Sequence, residues 1–155
     1  MQQKVFSLKQ DFDIFDVTQR PVYHVEGKLF SFGRQLSIYE TGTQHQLAEV
    51  KQKLLSFTPT MEVYVAGRLL CTIRKKITFF KPRYEVSHLD WQIEGDYFAH
   101  DYSILEGDGT IIADINKKFF SWSDTFEFDI YYEDIDPVNV VAVILAIDLA
   151  MDTDN

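Results

Sequence analysis

The sequence predicts a mainly β protein: a closed antiparallel barrel of about twelve strands, built from two duplicated six-strand halves around a hydrophobic C-terminal α-helix. Three observations predict it. Apolar and polar residues alternate with a period of two over most of the chain, as strands with one buried face require. The pattern of the first half recurs in the second. The last long apolar run, 137–151, is the only stretch that reads well as a helix.

In the first strands Phe12 and Ile14 oppose Asp11 and Asp13, and Tyr23 and Val25 oppose His24 and Glu26. Gly27 interrupts that run, which suggests a bulge or bend of the kind barrel closure needs. Gln19-Arg20-Pro21 punctuates the passage between strands, and Thr41-Gly42-Thr43 has hairpin-turn character. A long strand is expected over 46–57. After Thr58-Pro59-Thr60, Met61, Val63 and Val65 alternate with Glu62 and Tyr64. Residues 67–84 are basic, with no acidic residue among them.

The pattern then starts again. Tyr23-His24-Val25-Glu26-Gly27 is echoed by Trp91-Gln92-Ile93-Glu94-Gly95, and Phe12 and Ile14 by Tyr84 and Val86. The clearest echo sets the ten residues 48–57 beside 113–122 and runs on through Met61-Glu62-Val63 and Phe126-Glu127-Phe128. The halves therefore lie near 4–66 and 76–131 of a single domain, 1–155, each repeating one strand order. Closing such a sheet removes its exposed edges.

The helix has good start signals. Asp136 can cap, Pro137 suits the first helical position, and Ile135 can staple onto Val140. Its many valines and isoleucines are indifferent helix formers, so it must be stabilised by burial on all sides. Its uninterrupted apolar part, Val140 to Ile147, is eight residues, against roughly 20 needed to span a bilayer. No signal peptide is visible, and the expectation is a soluble, cytoplasmic protein, possible contact with a membrane being peripheral.

Several blocks resemble a known family. Val22-Tyr23-His24-Val25-Glu26-Gly27, Ile38-Tyr39, Lys51-Gln52-Lys53-Leu54-Leu55-Ser56-Phe57, Lys75-Lys76-Ile77-Thr78-Phe79-Phe80-Lys81-Pro82 and Trp91-Gln92-Ile93-Glu94-Gly95-Asp96 are similar, in order and spacing, to the LURP-one-related family, in its bacterial YxjI-like branch. That family lies within the tubby C-terminal-like superfamily. The resemblance implies a twelve-stranded barrel threaded by a hydrophobic helix, and kinship with phosphoinositide-binding tubby domains and phospholipid scramblases. No tubby headgroup residue aligns with this chain, and no activity carries over.

Charge is the most informative functional clue. The chain has a formal net charge of −9. Residues 51–83 nevertheless carry eight basic residues, Lys51, Lys53, Arg68, Arg74, Lys75, Lys76, Lys81 and Arg83, against the single acid Glu62. Residues 84–155 carry two basic and seventeen acidic residues. If the basic strands are neighbours, they make a positive face that suits lipid headgroups, each Lys or Arg adding about 1 kcal/mol at an anionic membrane. The competing account is that these are solvated strand faces, partly paired with the acidic half.

The leading expectation is therefore a non-catalytic binding or scaffold protein that contacts anionic lipid headgroups or a protein partner through 51–83. Two alternatives remain: a small apolar-ligand carrier that uses the barrel interior, and a DNA- or RNA-contacting regulator that stacks bases on Phe79, Phe80 and Tyr84. The net charge argues against nucleic acid, and aromatics in alternating strands usually point inward. His24, His45, His88 and His100 lack metal-ligand spacing, Gly107-Asp108-Gly109 offers one carboxylate where calcium needs six to eight oxygens, and Cys71 lies in an apolar run. No enzyme activity, cofactor or metal is expected.

Overall fold

A computed structural model describes residues 2–4, 11–31, 33–80, 83–96, 99, 101–120, 123–131 and 133–153, with the backbone alone at 2–4, 117–120, 123–126 and 153. The described strands are β1 (Gln2–Lys4), β2 (Phe12–Phe15), β3 (Pro21–Phe30), β4 (Gly33–Glu40), β5 (Gln46–Gln52), β6 (Thr60–Val65), β7 (Arg68–Lys76), β8 (Arg83–Ser87), β9 (Trp91–Asp96), β10 (Asp101–Glu106), β11 (Ile111–Phe120) and β12 (Ser123–Ile130), followed by α1 (Pro137–Thr153). They form one antiparallel sheet in the order β8-β7-β6-β5-β4-β3-β2-β1-β12-β11-β10-β9. The ladder between β1 and β12 joins the two ends of the strand sequence, and every other described ladder joins consecutive strands.

Alternation explains the inward face. Ile14, Val25, Leu36, Ile38, Val50, Met61, Val63, Cys71, Ile73, Ile104, Ile115 and Phe128 are all buried on it, and Ile112, at the register shift between β10 and β11, is buried as well. Full burial of each large apolar side chain contributes about 1.5–3 kcal/mol. The helix fills the space they enclose: Val140 to Ile147 are all within 3% of full burial, on every side. α1 packs nearest β5, β6 and β7. Asp136 caps it as expected, its Oδ1 accepting the Val138 N–H at 3.1 Å while its carbonyl accepts the Asn139 N–H at 3.0 Å. Asp148 is partly buried.

Four expectations are corrected. The sheet is not a closed barrel among the described residues, because no ladder joins β8 to β9. The strand expected over 46–57 ends at Gln52, and 53–59 is a loop. Pro59 ends the ladder there, since proline has no N–H to donate. The backbone irregularity expected at Gly27 falls on its counterpart: Gly95 has φ +133°, and a Cβ there would stand 2.5 Å from the Asp101 carbonyl oxygen. The helix also runs two residues further than expected, to Thr153.

Register places the connections. Phe30 pairs with Gly33, Gln35 with Lys51, Gln52 with Met61, Thr60 with Arg74 and Lys76 with Arg83. The β3–β4, β5–β6 and β7–β8 connections therefore meet at one end of the sheet. Arg34, at the start of β4, is ion-paired with Asp152 in the last turn of α1. That end is the one where the helix finishes.

Candidate functional site

The end of the sheet beside the helix C-terminus gathers most of the basic residues that the sequence singles out. Lys53 follows β5 directly, and its N–H donates to the Thr60 carbonyl at 2.9 Å. Arg74, Lys75 and Lys76 close β7, and Arg83 opens β8 opposite Lys76. Because Cys71 and Ile73 point inward, Arg74 and Lys76 face out and are exposed, whereas Lys75 has the inward parity and is partly buried. The five cations form a basic rim.

Not every predicted residue joins it. Arg68 begins β7 and stands at the opposite end of the sheet, beside the 66–67 turn. Lys51 lies on the outer face of β5, 3.3 Å from Glu49 and 5.1 Å from the centre of the Tyr64 ring. Tyr64 donates in turn to Glu62 at 2.7 Å, which holds its phenol above the ordinary value. Lys81 lies outside the described residues. Within the rim Lys76 is paired with Glu85 at 3.0 Å. Among the described residues no carboxylate comes within ion-pair distance of Lys53, Arg74 or Arg83.

The same end carries what sequence reasoning missed. Leu54, Leu55 and Phe57 in the β5–β6 loop, and Ile77, Phe79 and Phe80 after β7, are all exposed. Leu55, Phe57, Phe79 and Phe80 are open to solvent at 98%, 105%, 103% and 97%. The expectation that aromatics of this region point inward is thus corrected for Phe79 and Phe80: they follow β7 rather than alternate within it. Proline signals at 59 and 82 mark both segments as loops and could have found them.

The opposite end differs in charge. Its turns hold Asp16, Glu40, Asp90, Glu106, Asp108, Glu133, Asp134 and Asp136 against Arg20 and Arg68. Asp16 accepts the Thr18 hydroxyl at 2.7 Å, the Thr18 N–H at 2.8 Å and the Arg20 N–H at 3.1 Å, and these bonds hold its carboxyl below the ordinary value. In Asp108 the Thr110 N–H does the same.

Two further groupings follow from the strands. A cleft of about 1070 Å³ lies between β8 and β9, with Tyr84, Val86, Trp91 and Ile93 among its lining and Lys76 and Arg83 nearest the rim. On the outer face of β2 and β3, His24 Nδ1 lies 2.6 Å from Asp13 Oδ1, and ligand-type atoms of Asp11, His24 and Glu26 lie within 4.8 Å of one another. Spacing along the chain gives no hint of this group, which the β2–β3 ladder brings together at the surface. Cys71 is buried, and burial pushes its thiol up to about 12. Among the described residues no helix is long and apolar enough to cross a membrane.

Comparison with known proteins gives one consistent family. A protein from Bacillus subtilis (strain 168), described as uncharacterized protein YxjI, is 32% identical over 154 residues, covering 99% of this chain and 93% of its own. An X-ray structure of a protein from Arabidopsis thaliana superposes with a TM-score of 0.69 at 16% identity, over 99% of this chain and 91% of that one, a likeness of fold. A family model described as LURP-one-related matches residues 1–148. The chain belongs to the LURP-one-related family.

Proposed function

We propose that this chain is a non-catalytic binding domain whose basic rim engages the phosphates of an anionic phospholipid surface. One observation carries the reading. Lys53, Arg74, Lys75, Lys76 and Arg83 share one end of a chain whose net charge is −9 and whose other end is acidic. Such a dipolar distribution turns the basic end toward a negative surface and repels the rest. Five cations at about 1 kcal/mol each would give reversible, salt-sensitive attachment.

The reading places the protein at the membrane periphery on the cytoplasmic side, and the buried helix within the antiparallel sheet supports a tubby-like description of the fold. The carrier alternative loses its support, because α1 occupies the space enclosed by the sheet. Exposed Phe79 and Phe80 beside lysines do suit base stacking, so nucleic acid is the reading to test against.

Co-sedimentation decides between them. The protein should pellet with phosphatidylcholine vesicles that contain phosphatidylserine, not with phosphatidylcholine alone, and added salt should release it. Lys75→Glu with Lys76→Glu should abolish the binding. No binding to anionic vesicles, or binding untouched by the double substitution, would remove the proposal. Retention on single-stranded oligonucleotides in its place would transfer the rim to nucleic acid.

A further inference from the structure

We infer that the 53–59 and 77–80 loops are bilayer-inserting tips, which carry Leu55, Phe57, Phe79 and Phe80 below the phosphates while the rim cations stay at headgroup level. The inference rests on the lipid reading above and adds a mode of attachment to it. Single exposed apolar side chains need no explanation. Six large ones on two neighbouring loops are a different matter, since contiguous exposed apolar surface marks a place of interaction.

The 53–59 loop is also built inside out. Ser56 Oγ donates to the Thr58 carbonyl at 2.7 Å and lies 2.9 Å from Thr60 Oγ1, which itself donates to the Thr58 carbonyl at 3.0 Å. The Pro59 carbonyl accepts the Lys75 N–H at 3.0 Å, which ties the loop to β7. The Ser56 and Thr60 hydroxyls are thus spent on the loop's own backbone, Thr58 Oγ1 is buried without a partner among the described residues, and the residues on either side of Ser56, Leu55 and Phe57, are turned out to solvent. Leu54 leans toward the β3–β4 turn, its Cδ2 3.0 Å from where a Cβ on Gly33 would stand.

The order of charge and apolar surface identifies the occupant. Lys53 immediately precedes Leu54, Lys76 immediately precedes Ile77, and Arg83 begins the next strand. The cations therefore lie at the strand ends and the apolar side chains beyond them. A seven-residue loop can reach at most roughly 10 Å past its strands at 3.3 Å per residue out and back. An approaching bilayer presents phosphates first and acyl chains about 5–10 Å deeper, so its layers match those of the rim. The charge complementarity of the cations selects an anionic membrane.

The test uses Phe57→Cys and Phe79→Cys proteins, each labelled with a polarity-sensitive fluorophore, since Cys71 is buried and does not compete. Val17→Cys is the control: Val17 is 82% exposed in the 16–20 turn at the opposite end. With phosphatidylcholine–phosphatidylserine vesicles both tip labels should shift to the blue and be quenched by acyl-chain-brominated lipid, and the control should not. Phe57→Ser and Phe79→Ser in the unlabelled protein should each weaken vesicle binding on the order of tenfold, with melting unchanged.

Vesicle binding without quenching at either tip would overturn insertion and leave the electrostatic reading standing. Absence of vesicle binding by the unsubstituted protein would overturn both. A blue shift that grows with protein concentration in the absence of lipid would assign the tips to a second copy of this chain and overturn insertion.

Discussion

In the first half of the chain β2 runs against β3, with Phe12 paired to Val25, Asp13 to His24 and Ile14 to Tyr23. In the second half the matching strands, β8 and β9, share no ladder among the described residues, and a cleft separates them. The inward side chains correspond closely, Phe12 and Ile14 to Tyr84 and Val86, Val25 to Ile93, and all are buried. The outward ones do not. Asp13 meets His24 across the ladder, whereas Glu85 has Gln92 as its counterpart partner and turns to Lys76 on β7. The connections differ as well: five residues organised by Asp16 join β2 to β3, and three residues with His88 at φ 75° join β8 to β9. A repeated hydrophobic pattern therefore reproduces strand identity and facing, while pairing also needs compatible connections and cross-strand partners.

The largest effect should come from what the halves share. Val143 is fully buried on α1, around which the sheet is wrapped, and Val143→Asp would place an uncompensated charge there. The expected outcome is no cooperative unfolding transition in circular dichroism. A soluble, cooperatively folding variant would break the picture of one core common to both halves.

The next test sharpens the contrast. Gly95 has a φ that side chains rarely adopt, and a Cβ there would press on the Asp101 and Tyr102 backbone. Gly95→Ala should cost roughly 3 kcal/mol or more in denaturant unfolding. Gly27, its counterpart in β3, is not among the positive-φ glycines, and Gly27→Ala should stay within about 1 kcal/mol. Equal losses would mean that the two strands are conformationally equivalent after all.

The smallest effect concerns the β2–β3 connection. The Asp16 carboxyl has its pKa lowered in the folded state, mainly by the Thr18 hydroxyl. Its contribution is therefore present above the unfolded value of 3.8 and is lost as pH falls through the lower folded value. Protection factors of the Thr18 and Arg20 amides, taken against the intrinsic exchange rate at each pH, should fall over that acid range, and Asp16→Ala should lower them already at neutral pH. An Asp16→Ala protein with unchanged protection there would show that the turn holds without its carboxylate.

Much of the fold was legible. Periodicity marked the strands, the echo of 48–57 in 113–122 set β5 beside β11 as similar strands, and Asp136-Pro137 marked the start of α1. Periodicity also misled, because it carried the strand through Phe57 where β5 ends at Gln52, although the similar strand β11 does run on to Phe120. Pro59 breaks the likeness. The candidate site was legible only as a charge excess. Its division into a rim, a paired Lys51 and a distant Arg68 was not, since the acids that pair with Lys51 and Lys76 are set by exposed side-chain packing.

By itself the sequence determined the mainly β class, the inward face of most strands and the buried helix, because these follow from side-chain chemistry repeated over a few neighbouring residues. Only the tertiary structure decided which cations stand together and which apolar residues lie beyond them. Arg68 and Arg74 share one strand, yet a rise of about 3.3 Å per residue puts them roughly 20 Å apart. Lys53 and Arg74, far apart in the chain, come to one end because the β5–β6 and β6–β7 ladders fold it back twice. The openness of β8 to β9 belongs to the same class: it depends on how two edges meet after every other strand has found its partner.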